Sequence, residues 1–382
     1  MTPPNATLVW DPRFREYDFG DDHPFSERSR GLAVALVEAT LEPGEASAFE
    51  FVRSVEPCSR AELERFHEAP FLDLVERAGS LREPMLLDAG DTPAFPDCYR
   101  ASARVAAGAV VGMRRTLETG RPSVHPGGGL HHAHPDHASG FCVFNDVALA
   151  IAEALEAGKR VAYVDIDAHH GDGVMYGFYE SGRVLDIDFH QDGRTLFPGT
   201  GFTTETGRGD GRGLKVNVPL IPTAGDEAIV PLFRRIVPPL VEEFRPDVLV
   251  LQHGVDGHYG DPLTRLQYTP AGYAAVLGTV LELAERVCAG RLLLTGGGGY
   301  RAESVSRVLA RAARAAARLS RPADDATVPD VWRAAFYESA NYPAPTTWAE
   351  PPTVVPTRWR PELEHAVIAE LESALGRKFA RS

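Results

Sequence analysis

The strongest constraint on this chain is an alternation along its length. Short apolar runs with β-branched residues are followed directly by loops of glycine, histidine and aspartate, and then by longer Ala-, Glu- and Arg-rich stretches. That order is the signature of a parallel sheet, whose strands need crossover helices between them. The clearest strand runs are 161–167 (VAYVDID), 184–190 (VLDIDFH), 214–220 (LKVNVPL), 248–252 (VLVLQ) and 292–295 (LLLT). Between them the pattern predicts helices near 97–119, 145–157, 225–244, 270–289 and 302–318. The first of these follows Pro96 and stops at Gly120-Arg121-Pro122, a start signal and a stop signal. Ligands of open parallel sheets bind at the carboxyl edge, so loops that cluster after strands point to one shared site. The expected fold is α/β, with a central, mostly parallel sheet flanked by helices on both faces.

Nothing divides the 382 residues convincingly into two domains. A single domain over 1–382 is expected, its motifs in 17–300. A proline-rich wrap at 343–361 and a last helix near 362–377 lie within the tail at 320–382. The formal charge of −14 argues against nucleic-acid binding, which needs a basic face. No run approaches the ~18 apolar residues of a membrane span, and the N-terminus has no basic start followed by an apolar core. Cys58, Cys98, Cys142 and Cys288 are scattered and form no CxxC pair, so they read as reduced thiols in a cytoplasmic protein. Oligomeric state leaves no mark in the sequence.

Four loops carry the chemistry. The first, PGGGLHHA (126–133), brings His131 and His132 in behind three glycines that permit a tight turn; a polar surface loop would account for such a pair equally well. The second, YVDIDAHHGDG (163–173), sets Asp165, Asp167 and His169 two apart, on one side of an extended segment. Helix capping explains one of its aspartates at most. Several carboxylates buried together are costly unless a cation or protons compensate them. The third, QHGVDGHYGDPL (252–263), adds Asp256 after another apolar strand, although alone it reads as a turn. Asp167, His169 and Asp256 offer one nitrogen and two oxygens, a set acceptable to a divalent metal that leaves positions open for water and substrate. The fourth, GGGGY (296–300), would carry Tyr300 towards the same edge, though a plain glycine turn looks the same. No nucleophile elbow, phosphate-binding loop or dinucleotide fingerprint is present. Cys142 lies near the histidines, but its neighbours Phe141 and Val143 suggest burial rather than reactivity.

Seven segments together resemble the histone deacetylase superfamily, most closely its bacterial acetoin-utilization deacetylases. They are YDFGDDHP (17–24), PGGGLHHA (126–133), SGFCVFNDVALA (139–150), YVDIDAHHGDGV (163–174), LFPGTG (196–201), QHGVDGHYGDPLTRL (252–266) and GGGGY (296–300), in family order. The resemblance implies the arginase/deacetylase fold and a zinc ion held by Asp167, His169 and Asp256; ferrous iron suits the same donors. It implies His132 as general base and acid, His131 as an electrostatic partner, and Asp172 and Asp165 behind them. Tyr300 would donate to the oxyanion. Gly140, Phe141, Phe197 and Leu263 would line a narrow acyl-lysine tunnel, Asp91 would hold the substrate backbone at the rim, and Arg28 would lie on the acetate-release path. A structural potassium ion is expected near Asp165, but Asp188 stands where many relatives have a serine that helps bind it. The implied substrate is an acetylated protein.

Two other readings share this fold. An acetylpolyamine amidohydrolase keeps the catalytic parts, but LFPGTG (196–201) is more similar to the lysine deacetylases. A two-manganese ureohydrolase would want a metal-binding aspartate at position 171, which is Gly171. An acetyl-lysine binding module without catalysis would be expected to lack a ligand, the histidine pair or the tyrosine, and none is missing.

Overall fold

A computed structural model describes residues 3–80, 85–88, 90–350 and 357–380. Its eight strands are β1 (Ala6–Val9), β2 (Phe49–Val52), β3 (Ser123–His125), β4 (Val161–Asp165), β5 (Val184–Gln191), β6 (Lys215–Leu220), β7 (Val248–Gln252) and β8 (Leu292–Thr295). They form one sheet in the order β2-β1-β3-β8-β7-β4-β5-β6, and every pairing is parallel. Every residue of the central strands β4, β7 and β8 is buried. That is why these strands read as continuous apolar runs without alternation.

The helices are α1 (Arg28–Ala39), α2 (Arg60–Leu63), α3 (Ala69–Ala78), α4 (Cys98–Thr119), α5 (Asp146–Glu156), α6 (Asp172–Gly177), α7 (Asp226–Phe244), α8 (Pro270–Cys288), α9 (Ala302–Ala316), α10 (Asp330–Ala340) and α11 (Pro361–Leu375). Right-handed crossovers put α4, α5 and α6 on one face of the sheet and α1, α7, α8 and α9 on the other. Local chemistry fixes their ends. Thr269 caps α8 by accepting from the N–H groups of Ala271 and Gly272, with Pro270 at the first position. Gly120 closes α4 at φ 70.

All five strand runs and six helical stretches read from the sequence are present, with ends displaced by a residue or two. The run at 161–167 leaves strand geometry after Asp165, where the chain turns to present Asp167 and His169. The expected wrap at 343–361 falls partly on 351–356, outside the described residues. Before that gap it lies against the body: Trp348 is buried, and Glu350 pairs with Arg307 at 3.1 Å and with His258 at 2.6 Å. No helix among the described residues is long and apolar enough to cross a membrane.

Candidate active site

The loops after β3, β4, β7 and β8, four neighbours in the sheet, converge at its carboxyl edge. The β4 loop brings His169 Nδ1 between two carboxylates, 3.2 Å from Asp167 Oδ1 and 2.8 Å from Asp256 Oδ2 of the β7 loop. One donor atom from each of the three residues lies within 4.8 Å of the others, and all three residues are buried. Backbone donors hold the two carboxylates. Asp167 Oδ2 accepts from Gly298 N–H at 2.7 Å, and Asp256 Oδ1 accepts from Ala168 N–H at 2.8 Å. Buried anions this close are stable only with compensating charge, so the donor set suits a divalent cation.

His131 and His132 enter from the β3 loop. Their Nε2 atoms are 3.1 Å apart, and each Nδ1 faces a carboxylate: Asp165 at 2.8 Å for His131 and Asp172 at 2.7 Å for His132. Tyr163 donates its hydroxyl proton to the same Asp165 oxygen. Burial, reinforced by the neighbouring His131, pushes His132 down to about 4. Its Nδ1–H donates to Asp172, so its Nε2 is left as a proton acceptor. Burial would also depress His131, but the charges of Asp165 and Asp167 overcome it and raise this histidine to about 10. Asp172 is ionised despite its burial, because His132 and His134 both bond to it. Desolvation holds the Tyr300 phenol well above its ordinary value, so it remains a hydrogen-bond donor.

A cavity of about 20 Å³ joins these groups, lined among others by His132, Gly140, His169 and Tyr300. Phe197 stands beside it, its ring 5.1 Å from His132 and 6.4 Å from His169. Phe141 faces Tyr300 at 6.0 Å. A side chain at Gly140 would come within 2.5 Å of the His132 ring and 2.8 Å of Phe197, so only glycine lets the walls close. Leu263 and Phe197 are 41% and 43% exposed, large apolar groups left at a rim. Asp261 ties this rim to the centre by accepting from Leu263 N–H and Tyr300 N–H, both at 2.9 Å. Asp91 is exposed, and its backbone carbonyl accepts from His23 Nε2–H at 3.1 Å. The hydroxyl of the adjacent Thr92 accepts from Phe141 N–H at 3.0 Å, joining the Asp91 loop to Phe141.

Arg28 is not brought to this site. It opens α1 about half exposed, paired with Asp18 at 3.5 Å and Asp21 at 3.1 Å. Arg30 is the arginine that lies behind the glycine loop, buried, with Nη2 donating to Gly297 O at 2.5 Å. At 3.6 residues per turn, two positions along a helix lie about 200° apart, so the two arginines face opposite ways. Sequence reading also passed over the residues that set the loops. Gln252 Nε2 donates to Asp167 Oδ2 at 3.1 Å while its Oε1 accepts from Gly254 N–H at 2.8 Å. Asn145 caps α5 and donates to the carbonyls of His131 and Ala133. Asp146 accepts from Gly129 and Leu130 N–H. Gly129 itself has φ +95, and a Cβ there would fall 2.5 Å from Gly296 O, so the β3 and β8 loops meet only across glycine. Cys142 is buried and its thiol is pushed well above its ordinary value, which removes it as a nucleophile.

The comparisons with known proteins agree with this architecture. A model of the histone deacetylase domain matches residues 23–316. The chain is 33% identical over 348 residues to the acetoin utilization protein AcuC of Staphylococcus xylosus, covering 88% of each chain. It is 31% identical over 363 residues to AcuC of Bacillus subtilis, covering 92% of each. The crystal structure of the HDA15 HD domain matches with a TM-score of 0.72 at 29% identity, over 82% of this chain and 90% of that one. With its motifs, its sheet and its relatives in agreement over most of its length, the chain belongs to the histone deacetylase family.

Proposed function

We propose that the chain is a metal-dependent amidohydrolase that removes the acetyl group from Nε-acetyl-lysine in proteins and releases acetate. The observation that carries this reading is the His132–Asp172 pair gathered with the Asp167, His169 and Asp256 donor set around a cavity that His132, His169 and Tyr300 line. Zinc or ferrous iron fits one imidazole nitrogen and two carboxylates; when bound, either would acidify water and polarise the acetyl carbonyl.

The protein's own groups supply the rest. His132 Nε2, free to accept because Nδ1–H is committed to Asp172, takes the proton of the attacking water and returns it to the departing lysine nitrogen. His131, held by Asp165, adds positive charge beside it as negative charge grows on the substrate. The Tyr300 hydroxyl donates to the developing oxyanion, a contact whose loss typically costs about 10²–10³ in rate. Phe141 and Phe197 enclose the apolar lysine stem, with Gly140 giving it passage and Leu263 at the rim. Asp91 accepts from the backbone amides of a bound peptide. Arg30, from its place behind the glycine loop, takes the acetate-path role that the family resemblance implied for Arg28.

A structural potassium ion is proposed beside Asp165 and Asp188, which are paired in register on β4 and β5 and fully buried. The Asp188 carboxylate already accepts from Gly171 N–H at 2.7 Å and from His190 Nδ1–H at 2.6 Å. Its remaining lone pairs fit a monovalent ion.

The test compares kcat/KM for an acetyl-lysine peptide with that for N-acetylputrescine on one preparation of known metal content. The peptide is expected to be favoured at least about tenfold, ~1.4 kcal/mol of transition-state discrimination. His132→Ala is expected to abolish turnover with metal content intact. Equal or better turnover of the polyamine would replace the substrate assignment, and an active His132→Ala enzyme would remove the proton-transfer role.

A further inference from the structure

A second cavity, of about 110 Å³, lies between α8 and α9, and its lining includes none of Asp167, His169 and Asp256. Leu277 and Leu281 of α8 face Val308 of α9 across it. It exists because the residues that would otherwise interdigitate are too small to meet: Gly278 on α8, and Ala312 and Ala315 on α9. A methyl group at Gly278 would meet no atom of the described residues within 4 Å. The floor is His253, buried, and neither ring nitrogen has a hydrogen-bond partner among the described residues. Burial pushes it down to about 4, so the floor is uncharged at neutral pH. Buried polar atoms without partners are uncommon, and here they mark a wall that the protein's own groups leave unfinished.

Charge enters the lining from two guanidiniums. Arg311 and Arg321 share the single carboxylate of Asp324, at 2.7 Å and 3.0 Å. Arg311 is 10% exposed and is held further by Trp348 O at 3.2 Å, whereas Arg321 is 47% exposed and keeps donors facing solvent. Among the described residues the adjoining groove contains one more acid, Glu350, which is already committed to Arg307 and His258. Two cations against one anion leave a local excess of one positive charge beside an apolar slot.

We propose that this cavity binds a small monocarboxylate, its carboxylate on Arg321 and Arg311 and its aliphatic or aromatic body between α8 and α9. A dry cavity of roughly 150 Å³ admits benzene, so a body of about four to six carbons matches the space available. Acetate lacks the body, a neutral alcohol of the same length lacks the charge, and a dicarboxylate would force its second anion against Leu277 and Val308. The site is separate from the acetyl-lysine reading and stands whichever substrate the metal centre takes.

Calorimetric titration of the metal-loaded, full-length protein with pentanoate, acetate and 1-pentanol tests the assignment. Pentanoate is expected to bind one-to-one, at least tenfold more tightly than either of the others. Gly278→Leu places a side chain in the open space and is expected to abolish pentanoate binding without changing turnover. Arg321→Gln, at a half-exposed side chain that does not threaten folding, is expected to reduce pentanoate to the affinity of 1-pentanol. Pentanoate binding no tighter than acetate would overturn the proposal. So would pentanoate binding that survives unchanged in Gly278→Leu or Arg321→Gln, since the carboxylate would then sit elsewhere, at the metal centre for instance.

Discussion

Two arginines two residues apart offer a direct test of which side chain supports the site. Arg30 Nη1 donates to Ser26 O at 2.9 Å and to Ser29 Oγ at 3.2 Å, Nη2 donates to Gly297 O at 2.5 Å, and the guanidinium lies 4.6 Å over the Phe25 ring. Arg30→Met keeps most of the packing volume and removes every donor. Two acceptors left buried, Gly297 O and Ser29 Oγ, cost about 1–3 kcal/mol each. Relief of burying the guanidinium returns part of that, so a net loss of about 2 kcal/mol is expected. Activity should suffer more than stability. The Gly297 carbonyl anchors the loop that delivers Gly298 N–H to Asp167 and carries Tyr300, and a small displacement of such groups costs on the order of 10²-fold in rate. Arg28, by contrast, pairs on the surface with Asp18 and with a largely exposed Asp21, so Arg28→Ala should change stability by less than about 0.5 kcal/mol and leave kcat/KM unchanged. Urea unfolding and acetyl-lysine peptide kinetics on both variants decide the matter. If Arg28→Ala proves the more damaging, or Arg30→Met matches the parent in stability and kcat/KM, the assignment fails.

Two further outcomes are expected. A methyl group at Gly298 would fall 2.0 Å from Asp256 Oδ2 and 2.9 Å from Asp167 Oδ2, so Gly298→Ala should spread these two carboxylates and, on the proposed metal assignment, weaken metal affinity by about 10–100-fold; an unchanged affinity in a chelator competition would contradict this. His67 is buried, donates from Nδ1 to His134 O and accepts at Nε2 from Asn145 N–H, and burial depresses it to about 3. A folded value below the unfolded one means that the unfolded chain takes up the proton first, so stability is lost as pH falls below about 6.5. Removing this group in His67→Gln should make stability against pH shallower by one proton, about 1.4 kcal/mol per pH unit between pH 6 and 4. Parallel urea-midpoint profiles for the two proteins would refute it.

The parts of this molecule that the sequence discloses are those whose residue types have few alternative uses. Strands β4, β7 and β8 are buried on both faces and therefore write themselves as unbroken apolar runs. The groups around Asp167, His169 and Asp256 repeat histidine and aspartate at spacings that a solvated loop has no reason to adopt. Strands β1, β2 and β3 have only three or four residues each, too few for a period to declare itself against coil. They take strand form because neighbours already in the sheet offer unpaired edges, which is information held elsewhere in the chain. Arg30, Gln252, Asn145 and Asp261 were missed for a related reason. Each acts through backbone groups that are distant in sequence, Gly297, Gly129, His131 and Tyr300 respectively. An amide or carboxylate that steadies a distant loop carries no local pattern that separates it from a cap or a solvated side chain. Asn145 shows the ambiguity most clearly: it looks like a helix cap and is one, yet the two protons of its side-chain amide hold the loop that aims His131 and His132. Motif spacing thus finds the groups that gather at the carboxyl edge of the sheet, whereas the atoms that hold them in place become visible only when the loops are seen together.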